Sequence, residues 1–141
     1  CAGDGIGKQA ALHYGKYGAT VILLGKTVAK LEAVYDEIVN NGGNEPGIVP
    51  LDLKGATAQH YRDMANTISD QFGCLDGLLH NASLLGHLGP FAQISETDWQ
   101  NVFQVNVTSQ FFRNDIMRST HTNTYITTTA LGCKEWCEYF R

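Results

Sequence analysis

The sequence predicts an α/β fold: a doubly wound parallel sheet with helices on both faces, in three layers. Three observations predict it. Segments of strand and helix character alternate at short intervals along the 141 residues, which is the pattern of crossover-connected parallel strands. The first strand-like run is apolar nearly throughout, as a strand covered on both faces requires. A glycine-rich turn, Gly3-Asp4-Gly5-Ile6-Gly7, opens the first helix.

The elements follow in order. Gly5 to Tyr17 reads as a helix, with Ile6, Ala10, Tyr14 and Tyr17 on one stripe,. Ala19 to Leu24 is the apolar strand. Val28, Leu31, Tyr35 and Ile38 recur at helical spacing until Asn40-Asn41-Gly42-Gly43 ends that helix,. Ile48 to Leu51 is a short strand whose hydrogen-bonding side is compromised at Pro50. Tyr61, Met64, Ile68 and Phe72 mark a third helix, and Leu75 to Leu79 a further strand. Ser95-Glu96-Thr97-Asp98 has the form of a capping box. It opens a helix carrying Trp99, Val102, Phe103, Phe111 and Phe112, and Thr124 to Thr128 reads as one more strand.

Composition narrows the function classes. With 43% hydrophobic and 17% charged residues, the chain has material for a core and lacks the signature of disorder. A formal net charge of −4 argues against nucleic acid or an anionic membrane as partner. Cys1, Cys74, Cys133 and Cys137 form no paired Cys-x-x-Cys sets, and the five histidines show no ligand spacing. No metal site is therefore expected. A reduced, cytoplasmic protein of one domain, residues 1–141, is the expected setting.

The chemistry-bearing segments sit at the ends of the predicted strands. Glycines ahead of a helix let backbone N–H groups approach an anion, and the helix N-terminus adds about half a positive charge, which suits a pyrophosphate. A P-loop is excluded, because Gly7-Lys8 is followed by Gln9,. At the next strand end stand Gly25 and Lys26, where an acidic residue would serve a free ribose 2′-hydroxyl. A small neutral residue beside a cation suits a 2′-phosphate, so NADP is favoured over NAD; a solvated surface lysine is the bland reading. Asp52-Leu53 and His80-Asn81-Ala82-Ser83 end the following strands, where open α/β sheets bind ligands. Asn106 lies among apolar helix positions, so its amide is either structural or part of a site.

These segments together resemble the short-chain dehydrogenase/reductase family. Cys1, Gly5 and Gly7 match its Gly-x3-Gly-x-Gly turn, with Cys1 in the first glycine's place. Asp52-Leu53 matches its adenine-contacting pair. His80-Asn81-Ala82-Ser83 is similar to its Asn-Asn-Ala-Gly motif, and Asn106 to its active-site asparagine. The resemblance implies a Rossmann-type sheet. It also implies cofactor contacts at Gly3, Asp4, Gly5, Ile6, Gly7, Gly25, Lys26, Asp52, Leu53, Asn81 and Ala82. The implied reaction moves a hydride between NADP(H) and a small carbonyl or alcohol substrate. Relatives commonly form dimers or tetramers through helices like 98–112.

The resemblance weakens at both ends. The family's first strand would precede Cys1. Near the other end Thr129 falls at the position of the catalytic serine, and Tyr139, three residues early, resembles the catalytic tyrosine. The lysine of the Tyr-x3-Lys motif would lie past Arg141. Residues 113–141 are atypical in composition, and a partial or frame-shifted gene product is expected, with the fold incomplete at both ends. A catalytically inactive nucleotide-binding remnant is the alternative. A methyltransferase of related architecture is opposed by Gly25-Lys26, where it would need an acidic residue.

Overall fold

The computed structural model describes residues 1–119 of the chain. The strand expected at Thr124–Thr128, the residues Thr129 and Tyr139, and Cys133 and Cys137 lie outside the described residues. Helix α1 spans Gly5–Lys16, strand β1 Ile22–Gly25, helix α2 Val28–Asn40, strand β2 Gly47–Pro50 and helix α3 Ala58–Phe72. A 3₁₀ turn at Phe91–Gln93 leads to helix α4, Glu96–Phe103. A π-helical turn, Gln104–Thr108, then joins α4 to helix α5, Ser109–Ser119.

β1 and β2 pair in parallel, with Ile22 opposite Gly47 and Gly25 opposite Pro50. Side chains alternate across a strand with a period of two, and here each set enters a different core. Leu23, with Val21 and Ile48, packs among Ala11, Leu31, Val34 and Ile38 of α1 and α2. Ile22, Leu24 and Val49 pack on the other side against Leu53, Tyr61, Met64, Ile68 and Val105. The sheet is thus covered on both faces, as the apolar run predicts, and the three layers follow.

Three expectations about the elements need correction. The stripe Ile6, Ala10, Tyr14 and Tyr17 does not face the core. Its three large residues are exposed and Ala10 is only partly buried, while the buried positions of α1 are Gly7, Ala11 and Gly15. The helix approaches through a face of small residues, which apolar periodicity alone does not reveal. A Cβ on Gly15 would stand 2.9 Å from Ile38 Cγ2, and one on Gly7 only 2.2 Å from the Cys1 carbonyl oxygen.

The second correction is Leu75 to Leu79, which is not a strand in the structure. A strand exists by virtue of its ladder, and this segment has no laddered neighbour among the described residues. Between it and β1 lies a groove of about 700 Å³, lined by Ile22 and Leu24, by Leu75, Leu78 and Leu79, and by Met64, Ile68 and Phe72 of α3. The helix expected from Ser95 is also divided, by the π-helical turn. Its start is as expected: the Asp98 N–H donates to Ser95 Oγ at 3.0 Å.

The contact at Gly7 is with backbone, which a flexible side chain could not relieve. Gly7→Ala should therefore lose about 1–3 kcal/mol of stability, the cost of overpacking. Gly55→Ala, where a Cβ meets nothing within 4 Å, should stay within about 0.5 kcal/mol of the parent. Urea unfolding followed by circular dichroism measures both. Equal midpoints for the two variants would show that α1 is not held at Gly7.

Candidate functional site

The site begins where α1 begins. Asp4 is its N-cap, in extended backbone, and Asp4 Oδ1 accepts from the Gly5 N–H at 2.8 Å. Gly5 has φ +53°, in the left-handed region, and a Cβ there would meet nothing within 4 Å. Glycine is needed at this position for the backbone conformation, with open space beside it. The Ala2 N–H donates to the Leu24 carbonyl at 2.9 Å, so the turn is fastened to the carboxyl end of β1.

Beside this turn is a cavity of about 230 Å³. Four stretches of chain meet in its wall: Gly3 and Asp4 from the turn, Gly25 to Thr27 with Lys30 after β1, Asp52 to Lys54 after β2, and Ala82 to Leu84. This is the convergence of strand ends that open α/β sheets use to hold ligands. The wall carries the cations Lys26, Lys30 and Lys54 against the carboxylates Asp4 and Asp52. Lys30 Nζ lies 2.6 Å from Asp4 Oδ2. That contact, with the Gly5 N–H, holds the Asp4 carboxyl below the usual carboxylate range. Lys26 makes no ion pair among the described residues.

The π-helical turn sets the shape of two of the cavity's walls. Asn106 Oδ1 accepts from the Leu84 N–H at 2.8 Å, and its Nδ2 donates to the Leu84 carbonyl at 2.9 Å. The amide thus pairs with Leu84 as a neighbouring strand would. Two residues earlier, Gln104 Nε2 donates to the Ala56 carbonyl at 3.0 Å. One turn of helix therefore anchors the loop after β2 and the loop after Asn81. The Asn106 amide is thus engaged with Leu84, a residue of the cavity's wall. Gln104 was not among the expected residues. Its signal is a second amide in the same apolar stretch.

Just before Asn81 and Ala82 in the chain is a buried polar group. His80 is 2% exposed, and its Nε2 meets Asn114 Oδ1 at 3.0 Å. Its Nδ1 is buried without a hydrogen-bond partner among the described residues. Arg113, also buried, donates from Nε to the Ser109 carbonyl at 3.1 Å and from an Nη to Ser109 Oγ at 3.2 Å. Burial lowers the pKa of His80, with the Arg113 charge adding to it and the Asn114 contact opposing.

The structure brings Gly3, Asp4, Gly25, Lys26, Asp52, Leu53 and Ala82 to one cavity. Gly7 and Asn81 border the larger groove instead. A Cβ on Gly7 would be 2.6 Å from Asn81 Nδ2, so its close approach is to protein. Ile6 is half exposed and lines neither space. Lys30, Thr27 and Lys54 join the cavity without having been expected there. Lys30 could have been found from its place four residues after Lys26.

A parallel sheet covered on both faces, with strand ends converging on a glycine turn at a helix N-terminus, defines a Rossmann-type α/β domain. The sequence model of the short chain dehydrogenase family matches residues 1–118, and the chain belongs to that family. It is 44% identical to the oxidoreductase YciK of Escherichia coli (strain K12) over 110 residues, which are 78% of this chain and 44% of YciK. A short chain dehydrogenase of Pseudomonas syringae has a TM-score of 0.81 at 43% identity, over 84% of this chain and 48% of that one. A short chain dehydrogenase of Shigella flexneri 2a, solved in complex with NADP, has a TM-score of 0.81 at 39% identity, over 84% and 50% of the two chains. The chain thus spans about half the length of the relatives it matches.

His80 supplies a pH test. Its folded pKa is below the ordinary value of 6.5, so on acidification the unfolded chain takes up the proton first. Its contribution is complete above about pH 6.5 and declines as the pH falls below that. Urea unfolding at stepped pH should show stability dropping as the pH is lowered from about 6.5, and His80→Phe should flatten that slope. A parent chain whose stability stays level as the pH is lowered from there would contradict the assignment.

Proposed function

We propose that the chain is the cofactor-binding portion of an NADP-dependent oxidoreductase acting on a small carbonyl or alcohol substrate. One observation carries this reading: Gly3 and Asp4 of the glycine turn, Gly25-Lys26, Asp52-Leu53 and Ala82 line a single cavity at the strand ends. The NADP-bound Shigella flexneri relative supports the choice of cofactor. The residues present fit the group. The open φ-positive Gly5 and the N-terminus of α1 would receive a pyrophosphate. Lys26, without an ion-pair partner among the described residues, would take a 2′-phosphate. Asp52 and Leu53 would lie against the adenine, with Asn81 and Ala82 farther along. When bound, the cofactor supplies the hydride.

The chain's own residues would orient and hold protons. Asn106 keeps Leu84 and its loop in place at the cavity's edge, and in this reading it also steadies the water chain of the family mechanism. Thr129 would hold the substrate oxygen by its hydroxyl. Tyr139 would exchange a proton with that oxygen as general acid and base. Cytoplasmic location belongs to the same proposal. Among the described residues no helix is long and apolar enough to cross a membrane.

Association with a second copy fits the exposed face of α4 and α5. Trp99, Phe103, Val107 and Phe111 recur every four residues, and each is about half exposed or more. An exposed apolar stripe of this kind suits an interaction surface. A homodimer or homotetramer through this face is the proposal.

Fluorescence titration with NADPH and NADH tests the cofactor assignment. NADPH should bind more tightly, and Lys26→Asp should remove about 1–2 kcal/mol of that advantage, the scale of a charge-assisted contact. Equal affinities in the parent, unchanged by the substitution, would refute it. Oxidation of NADPH with a panel of small ketones and quinones tests the reaction. For the interface, Phe103→Asp should shift sedimentation toward the monomer. A parent that sediments as a monomer would dismiss the interface.

A further inference from the structure

The nucleotide cavity contains a feature at odds with an anionic ligand. Asp4 places a carboxylate in the same wall as Lys26. An ionised carboxylate there would repel a 2′-phosphate and would accept a hydrogen bond from a free 2′-hydroxyl. It would thus favour the unphosphorylated ribose.

The structure shows how that charge is answered. Asp4 Oδ1 accepts from the Gly5 N–H at 2.8 Å, and Oδ2 from Lys30 Nζ at 2.6 Å. Both carboxylate oxygens are thereby engaged. The backbone keeps Lys30 near: a Cβ on Gly3 would fall 2.8 Å from Lys30 Cβ, so the turn and the first turn of α2 lie in direct contact. Lys26, four residues before Lys30 and outside the helix, remains without an ion pair among the described residues.

We propose that Lys30 is a specificity-determining residue for 2′-phosphorylated nucleotides, acting through Asp4 by neutralising its carboxylate rather than by holding the phosphate itself. The proposal rests on the NADP reading and adds to it the reason an acidic residue is tolerated in the glycine turn. Lys26 supplies the attraction and Lys30 removes a repulsion. Lys30 is a positioning residue in this scheme, and discrimination depends on the pair.

A double-mutant cycle tests it, read by calorimetric titration of 2′,5′-ADP and 5′-AMP against the chain. Lys30→Ala should lower the preference for 2′,5′-ADP by about fivefold, the scale of one solvent-screened charge pair. Asp4→Asn keeps an N-cap acceptor for the Gly5 N–H and should hold or raise the preference. The double variant should regain most of what Lys30→Ala loses. At 1 M salt, where screening acts within about 3 Å, the loss from Lys30→Ala should shrink. Far-UV circular dichroism on each variant establishes that the fold is kept, and Asp4→Ser repeats the cycle if Asp4→Asn is not folded. An equal loss from Lys30→Ala in the Asp4→Asn background would make Lys30 a direct phosphate ligand and overturn the proposal. So would a Lys30→Ala variant with unchanged preference. A parent with no preference for 2′,5′-ADP would instead defeat the NADP reading on which it rests.

Discussion

The approach of α1 to the backbone at Gly7 is the constraint on which the rest of the site depends. With no side chain at position 7, the helix closes to a distance where a Cβ would be 2.2 Å from the Cys1 carbonyl. That closeness places the first turn of α1 under Cys1 and Ala2, and Ala2 is bonded to Leu24 at the end of β1. The helix N-terminus, with its unsatisfied N–H groups, is therefore delivered to the strand ends. Gly15 repeats the arrangement farther along, against Ile38 of α2. A helix with large residues on this face would stand away from the sheet, and its N-terminus would miss the cavity.

The two cores follow from the same geometry. α1 and α2 lie over one face of the sheet, around Leu23, Leu31, Val34 and Ile38. α3 and the turn near Val105 cover the other, around Leu53, Tyr61, Met64 and Ile68. With both faces filled, the polar groups of the connecting loops gather at the strand ends. That is why Lys26, Asp52 and Ala82, far apart in sequence, share one wall. The Lys8–Glu37 ion pair, at 2.8 Å, joins α1 to α2 at the surface. It is partly exposed and adds little beside the packing beneath it.

Much of this was legible in the residues. Continuous apolar character identified β1 as doubly covered, and helical spacing located α2 and α3. The glycine turn and the strand-end positions pointed to a shared site before any geometry was known. What escaped the sequence has physical causes. The inward face of α1 is made of Gly7, Ala11 and Gly15, and small residues carry no periodic hydrophobic signal. Leu75 to Leu79 has strand composition, but strand structure needs a hydrogen-bonded neighbour that composition cannot guarantee. Lys30 reads as a surface lysine on a helix. Its bond to Asp4, twenty-six residues away, appears only when the chain is folded.

The division of the α4–α5 helix shows how a local break can organise distant loops. A π-helical turn is less favourable than continued α-helix, and such turns concentrate at functional sites. Here the turn holds Gln104 and Asn106, whose amides reach two different loops. Both loops are irregular, and irregular backbone near a core needs partners for its N–H and C=O groups. Asn106 satisfies both groups of Leu84 at once, and Gln104 the carbonyl of Ala56. Neither loop lies in a ladder, so these amides supply the partners that a neighbouring strand would otherwise give their partly buried backbone groups,. The π-helical turn is thus supported by the bonds it makes possible. It ties the loop after β2 to the loop after Asn81, and both of these line the cavity.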